Sequence, residues 1–442
     1  MAEAKPLRIA IIGAGIGGLT LSTALGILGR NSTGNLKVDV YEAADVISEI
    51  GAGINFWPRT WNIMNELGLN EQLVKFLQDE DIPDDRTEHL VFKVRKSDQL
   101  KGRDIRDITI TGGSVRLHRV HLQQTLLNGM TGQLHLSHRL VSYEEINDEV
   151  RLDFANGTTL TCDLLVGMDG LKSQVRRVFL ESRELLKPED RDPIIWSGAY
   201  AYRGLVDVDT LAGMFPGHHC LSMPMLYAGK NKHLIVYRVA QAKLVNVVAV
   251  VTDPAKENTF YDGPAHVVCE QEEMLRAYEK WEPEVQALLQ CIKKPMKFAL
   301  RSLKPLTSYV SGRVILAGDA AHAMLPHQGA GAGQAIEDAY ILANLLSQKP
   351  LITSQLPKIA EIYDRIRCPE GNRVLEASRI SGLVSQLVAP GFEEVGEGDE
   401  GVSDEMLQDL IEELSRQWSW TWKESAEDDR RRAMAFLESE IC

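Results

Sequence analysis

The residues with most chemical potential lie between Gly312 and Asp338, in the run GRVILAGDAAHAMLPHQGAGAGQAIED. Val314 to Ala317 form a short apolar run of the kind that makes a strand buried on both faces. Gly318-Asp319 ends it and places a carboxylate just past the carboxyl end of that strand, where open α/β sheets bind ligands. Pro326-His327-Gln328-Gly329-Ala330-Gly331-Ala332-Gly333 follows, and its small residues let a flat ligand approach the backbone. A helix predicted from Gln334 onward points its unpaired amides back into this loop. Such a helix end suits delocalised negative charge, as on a reduced flavin ring, which is anionic at its N1/O2 edge. An ordinary turn followed by a flexible glycine loop is the alternative reading of the same residues.

A second chemical stretch opens the chain. Arg8 to Ile12 reads as a strand, and Gly13-Ala14-Gly15-Ile16-Gly17-Gly18 places GxGxxG between it and an apolar helix. In this pattern Gly13 permits the tight turn, Gly15 lets a pyrophosphate approach and Gly18 lets helix and strand pack. A second strand, Leu36 to Tyr41, ends on Glu42, whose carboxylate can accept hydrogen bonds from a ribose 2′-OH. That favours FAD or NAD over NADP at this position. A third buried strand runs into Asp169-Gly170, with Ser173 and Arg176 on the helix that follows.

The elements around these motifs are of several kinds. Gly51-Ala52-Gly53-Ile54 precedes an amphipathic helix through Trp61, Ile63, Met64 and Leu67. Arg119 stands at the start of another helix, an unfavourable place for a cation facing the helix dipole. It is either a phosphate or ribityl contact or a solvated arginine. Residues 139–162 read as a meander with a turn at Asn156-Gly157. From about 190 to 300 the pattern changes to longer alternating strands, Trp196 to Val206, His233 to Val239 and Leu244 to Val250, as in a mixed or antiparallel sheet. Alternation puts Ala199, Ala201 and Arg203 on one face and Tyr200 and Tyr202 on the other, while His233, Ile235 and Tyr237 share a face of the next strand. A helical stretch, Glu270 to Leu289, breaks near Pro283, and residues 340–382 and 403–437 read as helical.

The 442 residues can bury a large core divided into two or three domains. Their 44% hydrophobic and 25% charged content is that of a soluble globular chain, and because MAEAKPLR has no signal-peptide layout a cytoplasmic protein is expected. No apolar run approaches the roughly 20 residues that span a membrane. Six cysteines show no metal-binding spacing and read as reduced thiols, so no metal is expected. A net charge of −14 argues against nucleic acid or anionic membrane as partner.

The fingerprint with Glu42, the Asp169-Gly170 segment and the Gly318-Asp319 segment together resemble the flavin-dependent aromatic hydroxylases. GAGI at 51–54, AYRG at 201–204, GDAAHAMLPHQGAGAGQAIEDA at 318–339 and Trp418-Ser-Trp-Thr-Trp422 bring the likeness to the salicylate hydroxylase-like branch. Arg301-Ser-Leu-Lys304-Pro305-Leu306 and Arg59 after Pro58 depart from the usual pattern.

The resemblance implies an α/β chain: an FAD-binding Rossmann-type domain with an inserted β-sheet substrate domain and a helical C-terminus. Residues 1–75, 113–190 and 301–345 would form the FAD-binding domain. Residues 76–112 would add substrate-side strands, 191–300 the substrate sheet and 346–442 the helical region.

It also implies roles for single residues. Gly13, Gly15 and Gly18 would hold the FAD pyrophosphate and Glu42 the adenosine ribose, with Gly53 close to the cofactor. Arg119 and Asp319 would contact the ribityl–pyrophosphate part, and Gly331-Ala332 the pyrimidine edge. Asp169 would serve both flavin and nicotinamide cofactor. Pro326 would face the isoalloxazine ring, while His322 and His327 read as structural or hydrogen-bonding residues. Arg203 and Tyr237 would meet the substrate, the first as cation for a phenolate or carboxylate, the second as hydrogen-bond donor or proton relay.

The implied reaction uses NADH or NADPH to reduce FAD. O₂ then adds at flavin C4a, and the hydroperoxide hydroxylates a small phenolic acid of salicylate or hydroxybenzoate type. Decarboxylation, plain hydroxylation or dearomatisation depends on what the attacked carbon carries, and a monomer or homodimer fits equally. A phenol monooxygenase of secondary metabolism is the nearest alternative. An FAD-binding reductase or partner-binding module without oxygen chemistry is the alternative from another class.

Overall fold

Three glycine-marked strand ends converge because the strands that carry them are neighbours in one sheet. The computed structural model describes residues 6–29, 36–47, 53–77, 82–83, 86–182, 193–239, 243–347 and 351–441. In chain order the strands are β1 (Leu7–Ile12), β2 (Leu36–Tyr41), β3 (Gly53–Phe56), β4 (Glu88–Lys96), β5 (Arg103–Thr111), β6 (Val115–His118) and β7 (Gln133–His135). The meander follows as β8 (Leu140–Ile146), β9 (Glu149–Phe154) and β10 (Thr159–Cys162), then β11 (Leu164–Gly167). The long strands are β12 (Ile194–Asp207), β13 (Met225–Gly229), β14 (Lys232–Val239) and β15 (Leu244–Thr252). β16 (His266–Val268), β17 (Met296–Leu303), β18 (Val310–Ser311) and β19 (Val314–Leu316) complete the set.

The first sheet has the order β18-β19-β11-β1-β2-β7, and all its pairings except β18–β19 are parallel. Burial on both faces explains the continuous apolar runs in β1, β11 and β19. Helices Ile16–Leu28 and Gly331–Ser347 pack against each other on this sheet, and their small residues allow close approach. A Cβ on Gly17 would lie 2.7 Å from the Met168 side chain and 3.1 Å from Ala335 Cβ.

The second sheet has the order β16-β17-β12-β15-β14-β13-β4-β5. It is antiparallel except where β13 runs parallel to β4, so the sheet is mixed. One face of β12, β14 and β15 buries Tyr202, Leu234, Val236, Val245 and Val247 against helices Gln271–Ala277 and Pro283–Gln290. The predicted break in that helical stretch is real, with Pro283 at the first position of the second helix, where its missing N–H costs nothing. The β4–β5 end packs with Leu407, Leu410, Leu414 and Trp418 of the helix Asp404–Trp418.

Two helix boundaries differ from the sequence reading. The Gly331–Ser347 helix starts three residues before Gln334, because a left-handed Gly329 (φ +60°) ends the preceding turn and frees the next residues to coil. Residues 340–382 are not one helix. The first ends at Ser347 and a second, Leu356–Ser385, begins after residues 351–355. Among the described residues no helix is long and apolar enough to cross a membrane.

Candidate flavin and substrate site

The fingerprint turn is built from backbone. Gly13 has φ +105°, its N–H donates to Tyr41 O at 2.8 Å, and an added Cβ would sit 2.4 Å from Met168 O. At Gly18 a Cβ would fall 2.0 Å from Gly13 O. Both glycines are therefore demanded by the fold. Gly15 is not: its backbone is ordinary and extended, and a Cβ there would meet nothing within 4 Å. A glycine facing open space at the start of a helix fits a pyrophosphate that must come closer than a Cβ allows. Glu42, half-buried beside it, accepts from Ala14 N and Ala44 N, each at 2.9 Å, so its carboxylate is fixed at the mouth of the same loop.

Across the sheet, Gly318 has φ +57° and Asp319 begins the short helix Asp319–His322. Asp319 is exposed, and its Oδ1 lies 4.0 Å from the position a Cβ on Gly331 would take. The carboxylate and the amino end of the Gly331–Ser347 helix thus border one space. The first turn of that helix contains Gly331 and Ala332, whose amides lack intrahelical partners.

Beneath this turn lies a buried charge network. Asp338 Oδ2 accepts from Gly318 N at 2.7 Å and lies 2.6 Å from His322 Nε2, while Arg367 Nε donates to Asp338 Oδ1 at 2.7 Å. Arg367 also donates to Gln334 Oε1 at 2.7 Å and to Glu337 Oε2 at 3.3 Å. Arg59 donates to Glu337 at 3.0 and 3.1 Å and to Asp429 of the last helix. The arginine that departs from the pattern after Pro58 is therefore a fully paired internal cation. Burial pushes the Asp338 carboxyl up, but His322 and Arg367 overcome it and hold the group below the usual carboxylate range.

The Pro326–Gln328 turn is pinned from outside the sheet. Gln328 O accepts from Trp57 Nε1 at 2.9 Å, and Gln328 Nε2 donates to Ser381 Oγ at 3.1 Å and Gln417 O at 2.8 Å. Trp418 Nε1 donates to the same Ser381 Oγ at 3.1 Å. Pro326 itself is exposed. The tryptophan-rich tail thus holds the loop while leaving the proline ring free.

Of two further predicted site residues, Asp169 has another duty on view. Asp169 accepts from Ser173 Oγ at 2.6 Å, Gln174 N at 2.7 Å and Val175 N at 3.2 Å, at the amino end of the helix Gln174–Glu181. Burial pushes its pKa up against those donors. Arg119 is half-buried and opens the helix Arg119–Gly129, directly after the residue of β6 that pairs with Gly53. Gly51 and Ala52 of the GAGI run lie outside the described residues.

The face of the second sheet opposite its helices forms a wall. Ala199 and Ala201 of β12, Val248 and Val250 of β15 and Leu300 of β17 make its apolar part. At its end Arg203 lies 5.7 Å from the Phe298 ring, and Arg116 of β6 lies 5.5 Å from the Tyr237 ring. Tyr237 Oη is 3.3 Å from where a Cβ on Gly53 would be, and the His233 ring is 5.2 Å from that of His327. The wall therefore meets the flavin-domain loops. Burial pushes the Tyr237 hydroxyl up, and the opposing pull of Arg203 and Arg116 is weaker. Tyr237 is a protonated donor at neutral pH.

The family described as FAD binding domain matches residues 7–184 and 292–378. A salicylate hydroxylase of Pseudomonas putida is 35% identical, over 98% of this chain and 95% of its own. The 3-amino-4-hydroxybenzoate 2-monooxygenase PtnB3 of Streptomyces platensis is 30% identical, over 81% of this chain and 87% of its own. A solved salicylate hydroxylase substrate complex superposes with a TM-score of 0.82 at 30% identity, covering 97% of this chain and 98% of that one. The chain belongs to the FAD-dependent aromatic monooxygenases, in the salicylate hydroxylase-like branch.

For such a monooxygenase the cofactor is FAD, and the glycine turn, Glu42, Asp319 and the Gly331 helix end fit it by the geometry above. A small aromatic substrate and O₂ follow from the same membership, and the alternative without oxygen chemistry falls away. The sequence reading missed Gln328 as the anchor of the proline loop, Arg367 and Asp338 as its foundation, and Arg116 over Tyr237. Arg116 was visible three residues before Arg119, but only the β3–β6 pairing brings it to the wall.

Proposed function

We propose that this enzyme hydroxylates a phenolic aromatic acid of the salicylate or hydroxybenzoate kind, with NADH or NADPH as reductant. The observation that carries this reading is the wall itself, an apolar ring-sized strip ending in Arg203, Tyr237 and Arg116. The printed substrates of the relatives above are aromatic acids of this kind. Gly13, Gly15, Gly18, Glu42, Gly53, Arg119, Asp169, Asp319, Gly331 and Ala332 would hold the cofactor. Bound FAD, once reduced, supplies the oxygen-activating chemistry.

The chain's own residues then do three things. Arg203 fixes the substrate's anionic group through a charge-assisted hydrogen bond. The two arginine charges favour the phenolate over the phenol, and the ring must be electron-rich to accept an electrophilic oxygen. Tyr237 donates its proton as a hydrogen bond to that phenolate oxygen and holds it in line. Pro326, kept rigid through Gln328, closes the opposite side against water. A monomer or homodimer in the cytoplasm suits this role. The test is a panel of hydroxybenzoates, following NAD(P)H oxidation, ¹⁸O₂ incorporation and CO₂ release. Label in product with one isomer supports the reading, and CO₂ release tells decarboxylating from plain hydroxylation. Product formed without O₂ consumption would overturn it.

A further inference from the structure

β15 breaks the apolar rhythm of its wall face at Asn246 and at its last residue, Thr252. Val248 and Val250 face the wall, and the residue two before them on the same face is Asn246. Its registry is fixed on both sides, opposite Tyr237 of β14 and opposite Leu205 of β12, next along the face to Arg203. Residues directly opposite point the same way, so Arg203, Tyr237 and Asn246 share the wall. Asn246 is 5% exposed, and its Nδ2 has no hydrogen-bond partner among the described residues.

A buried amide nitrogen without an acceptor is costly, and native folds leave few of them. A valine here would continue the strand's pattern and avoid that cost. Among the described residues Trp281 Nε1 and Thr252 Oγ1 are orphaned too, but Trp281 lies in the helix-covered core on the other face of the sheet and Thr252 at the far end of β15, opposite Ala199. The orphan at Asn246 stands where the substrate's polar end would be.

We propose that Asn246 reads the substrate: its Nδ2 donates to an oxygen of the bound aromatic acid, beside the oxygen that Tyr237 holds. The inference rests on the reading of Arg203 and Tyr237 as the substrate wall. Opposite residues on paired strands root their side chains about 5 Å apart. Two donors so placed match oxygens on adjacent ring positions, an ortho-hydroxy acid, rather than oxygens at opposite ends of a ring.

The test titrates FAD-loaded enzyme with 2-hydroxybenzoate and with 4-hydroxybenzoate, following the flavin absorbance change without reductant. Asn246→Leu should weaken 2-hydroxybenzoate about 10- to 100-fold and change 4-hydroxybenzoate by less than about threefold. Asn246→Asp, which swaps donor for acceptor and adds like charge, should weaken the 2-isomer further. If Asn246→Leu does not fold, Asn246→Ser decides by the same ratio. Wild-type affinity for the 2-isomer in these variants, or equal loss for both isomers, overturns the inference. Arg203→Ala, run in parallel, separates the two failures. If it loses both isomers while Asn246→Leu loses neither, only the role of Asn246 falls. If it binds as wild type, or if wild type binds neither isomer at millimolar concentration, the pocket assignment and this inference fall together.

Discussion

The charges under the Gly318 turn and the polar groups on the sheet wall are both largely removed from solvent, yet they are in opposite states. Arg59, Glu337, Asp338, Arg367 and Asp429 answer one another, with each carboxylate held by at least one cation, although His322 Nδ1 at the edge of the network has no partner among the described residues. On the wall, Tyr237 lies under the Arg116 guanidinium and against the apolar cluster that includes Leu226 and Trp418, and Asn246 keeps a donor with no partner among the described residues. A satisfied network is rigid and specifies one arrangement, whereas an under-satisfied one is complete only with a ligand. The first region therefore fixes where the cofactor loops stand. The second is shaped for what binds between them.

The largest expected effect breaks the satisfied region. Arg367→Ala would leave Asp338 and Glu337 buried with one cation fewer, at a cost of about 3–5 kcal/mol. Urea unfolding should show that loss together with FAD release, since Gly318 hangs on Asp338. A midpoint near wild type would mean that the network does not hold the turn.

Arg203→Ala attacks the other region and should leave stability and FAD content unchanged. Removing a charge-assisted hydrogen bond present in ground and transition states should lower kcat/KM about 100-fold, chiefly through KM. Tyr237→Phe should raise KM less than Arg203→Ala does, but lower kcat and release more peroxide per NAD(P)H, because it removes a hydrogen bond to the phenolate oxygen and no charge. Steady-state rates with product and peroxide quantified separate the two. Parallel KM losses in both variants would make the wall a binding surface only.

Glu42→Ala lies between the regions, a carboxylate fixed by two amides yet open on its far side. Its loss should weaken FAD by about 1.5–3 kcal/mol without unfolding the chain. Full FAD occupancy after extensive dialysis would contradict the ribose assignment.

How much of this was legible in the sequence follows the same division. The first sheet announces itself, because buried parallel strands need apolar runs and their turns need glycine at fixed offsets, as Gly13 and Gly18 do. The alternation of β12 also placed Arg203 and Ala201 together. What stayed hidden was made by long-range pairing. Arg59, Arg367 and Asp429 are far apart in the chain, and nothing local marks an arginine as internal. Asn246 needed the register of two strand pairs before it stood beside Tyr237. The extra turn at the start of the Gly331 helix was missed because glycine and alanine carry no periodicity.

The smallest expected effect is a pH dependence that tells the regions apart. His233 is buried on the wall with Gln386 Nε2 3.1 Å from its Nδ1 and the His327 ring at 5.2 Å. Burial pushes both imidazoles down, His327 to about 4 and His233 well below its ordinary value, with His327 adding to the latter. In the unfolded chain each titrates near about 6.5. Between that value and about 4 the unfolded chain binds protons that the folded chain refuses, so stability rises with pH across this window. It is fully present above the window and falls as the solution is acidified, by about 1–2 kcal/mol for His327 at pH 5. Asp338 behaves in the opposite chemical sense. Its depressed carboxyl contributes stability that persists until the pH falls below the unfolded value of about 3.9. Acid loss between pH 6.5 and 4 therefore comes from the wall and its loop together with His121 and His218, which burial also pushes down, and the network adds its loss below pH 4. Urea midpoints at pH 7.5 and 5.0 should differ in wild type, and the difference should shrink in His327→Asn and again in His233→Asn. A difference that neither substitution reduces would move the sensitive groups elsewhere.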